Sequence, residues 1–144
     1  MKASENSDDL AQAMGRLTNQ HKLESIRWLI YMSDISRWHL SNEEMAVLLG
    51  VSTEFFEEIQ QKAACELSIH IDPGTIERIS LLLGIWKTLQ VVAPNGRLDL
   101  AYNLFNQKNT SNYLGGLSIK EYLLQHKQIK AYYDVLRYLP QVVT

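Results

Sequence analysis

The sequence predicts an all-α fold of about seven helices, an N-terminal helix-turn-helix bundle packed on a C-terminal helical domain. Three observations carry this. Apolar residues recur at helical spacing from Leu23 onward, and two capping boxes mark helix starts at Ser41 and Ser118. No segment alternates convincingly, although Ile69–Ile71 would permit a short strand. At 144 residues the chain suffices for one domain, or for two very small ones sharing a core.

Residues 1–20 are polar and hold little to bury, so a flexible lead is expected, with at most a weak helix from Asp8 to Leu17. From Lys22 the pattern turns helical: Leu23, Ile26, Ile30 and Ser33 share one line, and Leu29 and Met32 widen it. This helix is expected to reach Trp38. Ser41, with Glu44 three residues on, then opens the stretch LSNEEMAVLLGVSTEFFEEI. Met45, Ala46 and Leu49 belong to a short helix, Gly50 ends it in a left-handed turn, and Ser52 or Thr53 caps the next. Small Ala46 lets the two helices approach, while Phe56 and Ile59 fill the angle between them. That spacing predicts a helix-turn-helix, and residues 21–71 form this first unit.

Residues 72–144 form the second unit. IDPGT reads as a turn, after which Thr75 caps a long helix to Val92. Ile76, Ile79, Leu83, Trp86 and Gln90 follow one line of it, and Leu82, Ile85 and Leu89 a second. It should be the central buried helix. Gly84 inside it costs about 1 kcal/mol relative to alanine and marks a tight helix crossing. Pro94-Asn95-Gly96 stops it. The next helix places Leu98, Ala101, Tyr102 and Phe105 on one side. Paired Gly115 and Gly116 permit a sharp bend, and Ser118 with Glu121 opens a helix over Ile119–His126. The last helix, Ile129–Leu139, carries Tyr132, Tyr133, Leu136 and Leu139 and is expected to end at Pro140.

Net charge is only −2, but its distribution is uneven. Leu40–Glu66 holds six acids against Lys62 alone, and Arg97 to the end holds six bases against three acids. The second helix of the helix-turn-helix would present Glu54, Glu57, Glu58 and Gln61 to a major groove. Duplex affinity comes largely from neutralising phosphates with Lys and Arg, so this face argues against ordinary operator binding. A dimer presenting Lys22, Arg27 and Arg37 would be needed to compensate.

The four histidines are scattered without an i, i+4 pair, and Cys65 follows two alanines, a core context. Neither catalysis, a metal nor a cofactor is expected. The lone cysteine forbids an internal disulfide and suits a reducing cytoplasm. No apolar run approaches the ~20 residues that span a bilayer, and the N-terminus lacks a signal-peptide pattern. A soluble cytoplasmic protein without a membrane partner is expected.

The second half carries a larger pattern: the helix ERISLLLGIWKTLQVV, a turn, a short helix, Asn109, Leu114-Gly115-Gly116, Ser118, then EYLL and a closing Arg137-Tyr138-Leu139. Together these resemble the toxin-binding domain of the Xre/MbcA/ParS antitoxins. The helix-turn-helix lies where that family carries its Xre-like domain, so the resemblance covers about Leu23 to Leu139. The chain departs from the pattern as a divergent member would. Leu104 or Phe105 stands where the family commonly has Trp, Lys108-Asn109 replaces a Pro-Asn pair, and Ile119 replaces Pro.

The resemblance implies the antitoxin of a type II toxin–antitoxin pair, whose C-terminal domain covers the active site of a RES-domain, NAD⁺-consuming toxin. The implied toxin-binding residues are Asn109, Leu114, Gly115, Gly116, Ser118, Tyr122, Lys130, Tyr133, Arg137 and Tyr138. Tyr and Arg are also the types that most often carry interface energy; the alternative is half-buried core tyrosines among solvated bases. A second reading is a transcriptional repressor holding operator DNA through Ser52, Thr53, Gln60, Gln61 and Lys62. A homodimer is expected if a monomer leaves the apolar central helix too exposed, or a hetero-oligomer with the toxin.

Overall fold

The computed structural model of the chain describes residues 20–108 and 112–142. Among these it is all-helical, without a strand: α1 (20–32), α2 (Asn42–Leu49), α3 (Thr53–Ala64), α4 (Pro73–Val92), α5 (Leu98–Asn106), α6 (Ile119–His126) and α7 (Ile129–Val142). Single 3₁₀ turns sit at Pro94–Gly96 and Asn112–Leu114. The expected lead, apart from Gln20, lies outside the described residues, as does Asn109. No helix among the described residues is long and apolar enough to cross a membrane.

Local chemistry sets several boundaries as expected. Ser41 and Ser118 each accept from the amide three residues on, and Glu44 and Glu121 return the bond, so both capping boxes are complete. Gly50, at φ +73°, closes α2, and Ser52 caps α3. Met45, Ala46, Leu49, Phe56 and Ile59 are buried between these helices. Asn95 and Gly96 both take positive φ where α4 stops.

Other boundaries move, each for a tertiary or steric reason. Helix α1 ends at Met32 rather than Trp38. The chain folds back so that the Trp38 amide donates to Met32 O (2.8 Å) and the Leu40 amide to Ser33 O (3.0 Å), with His39 at φ +53°. The buried line of α1 is therefore Ile26, Leu29 and Met32. Helix α4 begins at Pro73, not after Thr75, because a proline at the first helical position has its φ preset and lacks no needed donor. Asp72 is the N-cap residue without a side-chain cap bond, and Thr75 is buried inside the first turn. Cys65, expected in the core, is exposed at the end of α3. Leu98 is likewise exposed, although Ala101 and Phe105 are buried. Helix α7, expected to end at Pro140, runs through it to Val142; the proline lacks an N–H and forfeits one backbone bond there.

Helix α4 is the spine, packing against α2, α5 and α7, while α6 bridges α2, α5 and α7. Its buried line is Thr75, Ile79, Leu82, Ile85 and Leu89, with Leu81 beside it; Leu83 and Trp86 are half-buried and Gln90 is exposed. One continuous core runs from Ile26 to Leu139, across residues 71 and 72. Gly84 does face α7, but a Cβ there would lie 3.6 Å from the Leu136 methyls, an ordinary contact. The crossing is looser than the glycine implied. Gly84→Ala is thus expected to raise stability by about 0.5–1 kcal/mol, read as a higher urea midpoint.

The two halves are joined in the interior by the Tyr132 hydroxyl, which donates to Leu48 O (2.7 Å), a carbonyl in the last turn of α2. Burial pushes the Tyr132 hydroxyl up to about 12 from its ordinary 10.0. Because the folded value is the higher one, this group's stabilising contribution is complete below pH 10 and is lost as pH rises through about 12. Tyr132→Phe should cost about 1–2 kcal/mol at neutral pH, by stranding the carbonyl, yet flatten the alkaline limb of the unfolding curve.

Candidate functional site

Helix α7 divides its residues cleanly. Ala131, Tyr132, Val135 and Leu139 are buried, while Lys130, Tyr133 and Arg137 are exposed at helical spacing on the opposite side. The helix is therefore strongly amphipathic, and its outer stripe is cationic and aromatic. The Tyr133 hydroxyl donates to the Glu77 carboxylate of α4, and that bond raises its pKa. The Arg137 guanidinium stands 5.5 Å from the centre of the Tyr138 ring, within reach of a cation–π contact. Tyr138 in turn stacks on Tyr113 with ring centres 4.7 Å apart and planes 11° from parallel.

Tyr113 belongs to the 3₁₀ turn Asn112–Leu114, just ahead of Gly115 and Gly116 at φ +62° and +83°. The glycine pair is exposed, and nothing lies within 4 Å of where a Gly115 Cβ would be. Positive φ, rather than close approach by another part of the chain, is what asks for glycine there. The structure thus brings Arg137 and Tyr138 together with Tyr113, lines up Lys130 and Tyr133 with Arg137 along α7, and sets the glycine turn directly after Tyr113.

Three of the residues implied by the family resemblance face elsewhere. Leu114 and Ser118 are buried, the latter with its hydroxyl spent on the Glu121 amide. Tyr122 is half-buried against His126, ring centres 4.2 Å apart. Burial raises its pKa, with Asp134 adding to the shift. Glu121 is held below the usual carboxylate range, first by the Ser118 amide and then by its hydroxyl. Leu114, Ser118 and Glu121 shape the turn and the start of α6. Tyr113 and Glu77 were not read as site residues from the sequence; an aromatic directly before Leu-Gly-Gly was the available signal.

The residues considered for DNA sit on a different surface. Ser52 caps α3 through the Phe55 amide, Thr53 and Gln60 are half-buried, and Gln61 is exposed. Lys62 pairs with Glu58 at 3.2 Å, so the base on this helix is neutralised internally. Arg27 donates to Ala63 O (2.9 Å), and Arg37 stacks over Tyr31 while donating to Tyr31 O. Both are structural. An open polar groove of about 790 Å³ lies between the 33–41 loop, α5 and α6, but its charges are also paired. Lys120 donates to His39 O and reaches Glu44 at 3.6 Å; Asp99 is held by Arg97. Among the described residues no three His, Cys, Asp or Glu side chains converge to hold a metal ion.

No protein-family model matches the chain, and no curated protein or solved structure is significantly similar to it. The functional reading rests on the residues themselves.

Ser118→Ala should cost about 1 kcal/mol of stability by uncapping α6. Arg137→Ala, on the exposed stripe, should change it by less than about 0.5 kcal/mol. Urea unfolding of the two variants separates residues that hold the turn from residues exposed on the stripe.

Proposed function

We propose that this chain is a non-enzymatic inhibitor, the antitoxin of a type II toxin–antitoxin pair. Its C-terminal half covers the active site of a RES-domain, NAD⁺-consuming toxin. One observation supports this above the others: the exposed stripe of Lys130, Tyr133 and Arg137, flanked by the Tyr113–Tyr138 stack. Rigid aromatic rings beside a guanidinium offer large contact area at low entropy cost. Lys130 and Arg137 ask for a carboxylate-bearing rim on the partner, since a phosphate-binding cleft lined by bases would repel them. Operator binding is the weaker reading, because α3 exposes Glu54, Glu57 and Glu58 and pairs Lys62 with Glu58.

The experiment is co-expression with the product of the neighbouring gene while cellular NAD⁺ and growth are followed. The neighbour alone should deplete NAD⁺, and the pair should not. Lys130→Glu with Arg137→Glu should abolish protection and weaken the purified complex by about a hundredfold or more. Deleting α6 and α7 would be a poorer test, since it strips Tyr132, Val135 and Leu139 from the core. A harmless neighbour that fails to co-purify would overturn the proposal. Retention on duplex DNA that falls steeply with salt would favour the repressor instead.

A further inference from the structure

A hollow of about 230 Å³ lies between α1 and the first turns of α4, and it shares no lining residue with the α7 stripe. Four isoleucines wall it: Ile26, Ile71 and Ile79 are buried and Ile76 is half-buried. Among the described residues no Phe, Tyr or Trp lines it, so its apolar surface is aliphatic. Thr75 lines it too and is only 4% exposed, yet its hydroxyl makes no hydrogen bond among the described residues. The cause is local. Pro73 starts α4 and Asp72 takes the N-cap position, which leaves Thr75 inside the first turn with no capping to do. A hydroxyl so far removed from water is costly without a partner, and a polar ligand atom in the hollow would satisfy it.

Charge decides what that atom belongs to. Helices α1 and α4 advance together along their contact, since Ser25 and Trp28 share the adjoining hollow with Ser80 and Leu83. One turn back along each helix, Lys22 is level with Thr75 and Ile76. Lys22 is half-buried and, among the described residues, has no ion-pair partner. Of the acids on these segments, Glu24 lines the adjoining hollow instead, and Asp72 pairs with His70 at 3.9 Å. The first turn of α4 holds no acidic residue, so the positive end of its dipole adds to the attraction for an anion. We infer that this hollow binds a short aliphatic carboxylate. Its chain lies against the four isoleucines, and its carboxylate accepts from the Lys22 ammonium and the Thr75 hydroxyl. At about 30 Å³ for each water-sized group, the hollow holds about eight non-hydrogen atoms, the size of hexanoate.

The test is an NMR titration of the full chain, its isoleucine methyls labelled, with sodium hexanoate at neutral pH. The methyls of Ile26, Ile71, Ile76 and Ile79 should shift together and saturably with a Kd of about 1 mM, within reach of so small a ligand. Those of Ile35, Ile119 and Ile129, which do not line the hollow, should stay still. Hexylamine carries the same chain with the opposite charge and should bind about tenfold or more weakly. Thr75→Val keeps the shape and removes the hydroxyl, Lys22→Gln removes the charge, and each should weaken hexanoate by about fivefold or more. Lys22→Gln should also erase the preference for hexanoate over hexylamine. Methyls that do not move at about 20 mM hexanoate would overturn the inference. So would hexylamine that binds as tightly as hexanoate, or variants that bind as the wild type does. Protection against the toxin is read at the α7 stripe, so the antitoxin reading stands or falls separately.

Discussion

The burial of Trp38 is the constraint on which the rest of the fold depends. Its indole is fully buried, stacked on Phe105 of α5 at 3.8 Å and met edge-on by Trp28 of α1 and Trp86 of α4. One side chain thereby fixes three helices. The chain bends sharply to put it there: α1 stops at Met32, and His39 takes a left-handed conformation that a residue with a Cβ adopts at some cost. The indole Nε1 has no hydrogen-bond partner among the described residues, so packing must outweigh a stranded donor.

A second theme is how the short helices end. Their last carbonyls lack intrahelical donors, and several are satisfied by side chains from far along the chain. Arg27 reaches Ala63 O at the end of α3, and Tyr132 reaches Leu48 O in the last turn of α2. Arg78 reaches Lys127 O, where α6 gives way to α7. Arg78 also packs over Gly50, where an added Cβ would come within 2.8 Å of its guanidinium. Gly50 therefore does two things, making the left-handed turn and leaving room for Arg78. The α2–α3 pair is thus held from outside by side chains of α1, α4 and α7.

Surface chemistry follows from these interior choices. Once Tyr132, Val135 and Leu139 are committed to the core, the pitch of α7 sends Lys130, Tyr133 and Arg137 outward together. The basic excess of the second half thus becomes partly a stripe. On α4, likewise, burying Leu82, Ile85 and Leu89 leaves Leu83 and Trp86 half-covered and Lys87 at the surface. That Lys130, Tyr133 and Arg137 share one exposed face was legible, because spacing on a helix survives folding. The burial of Leu114 and Ser118 was not, because burial depends on what closes over a turn.

What the sequence determined by itself is whatever a few neighbouring residues decide. Both capping boxes, the Gly50 turn, the Pro94-Asn95-Gly96 stop and the start of α6 stand where serine, glutamate, glycine and proline chemistry sets them. The all-helical class follows from the same local signals summed along the chain. Tertiary structure decided the rest. The end of α1 moved because Trp38 finds its aromatic partners 48 to 67 residues away, at Trp86 and Phe105. Of two adjacent tyrosines, Tyr132 went inward because a carbonyl of α2 awaited its hydroxyl, and Tyr133 was left outside beside Glu77. Helical periodicity says which residues share a face; only packing against the other helices says which face is covered.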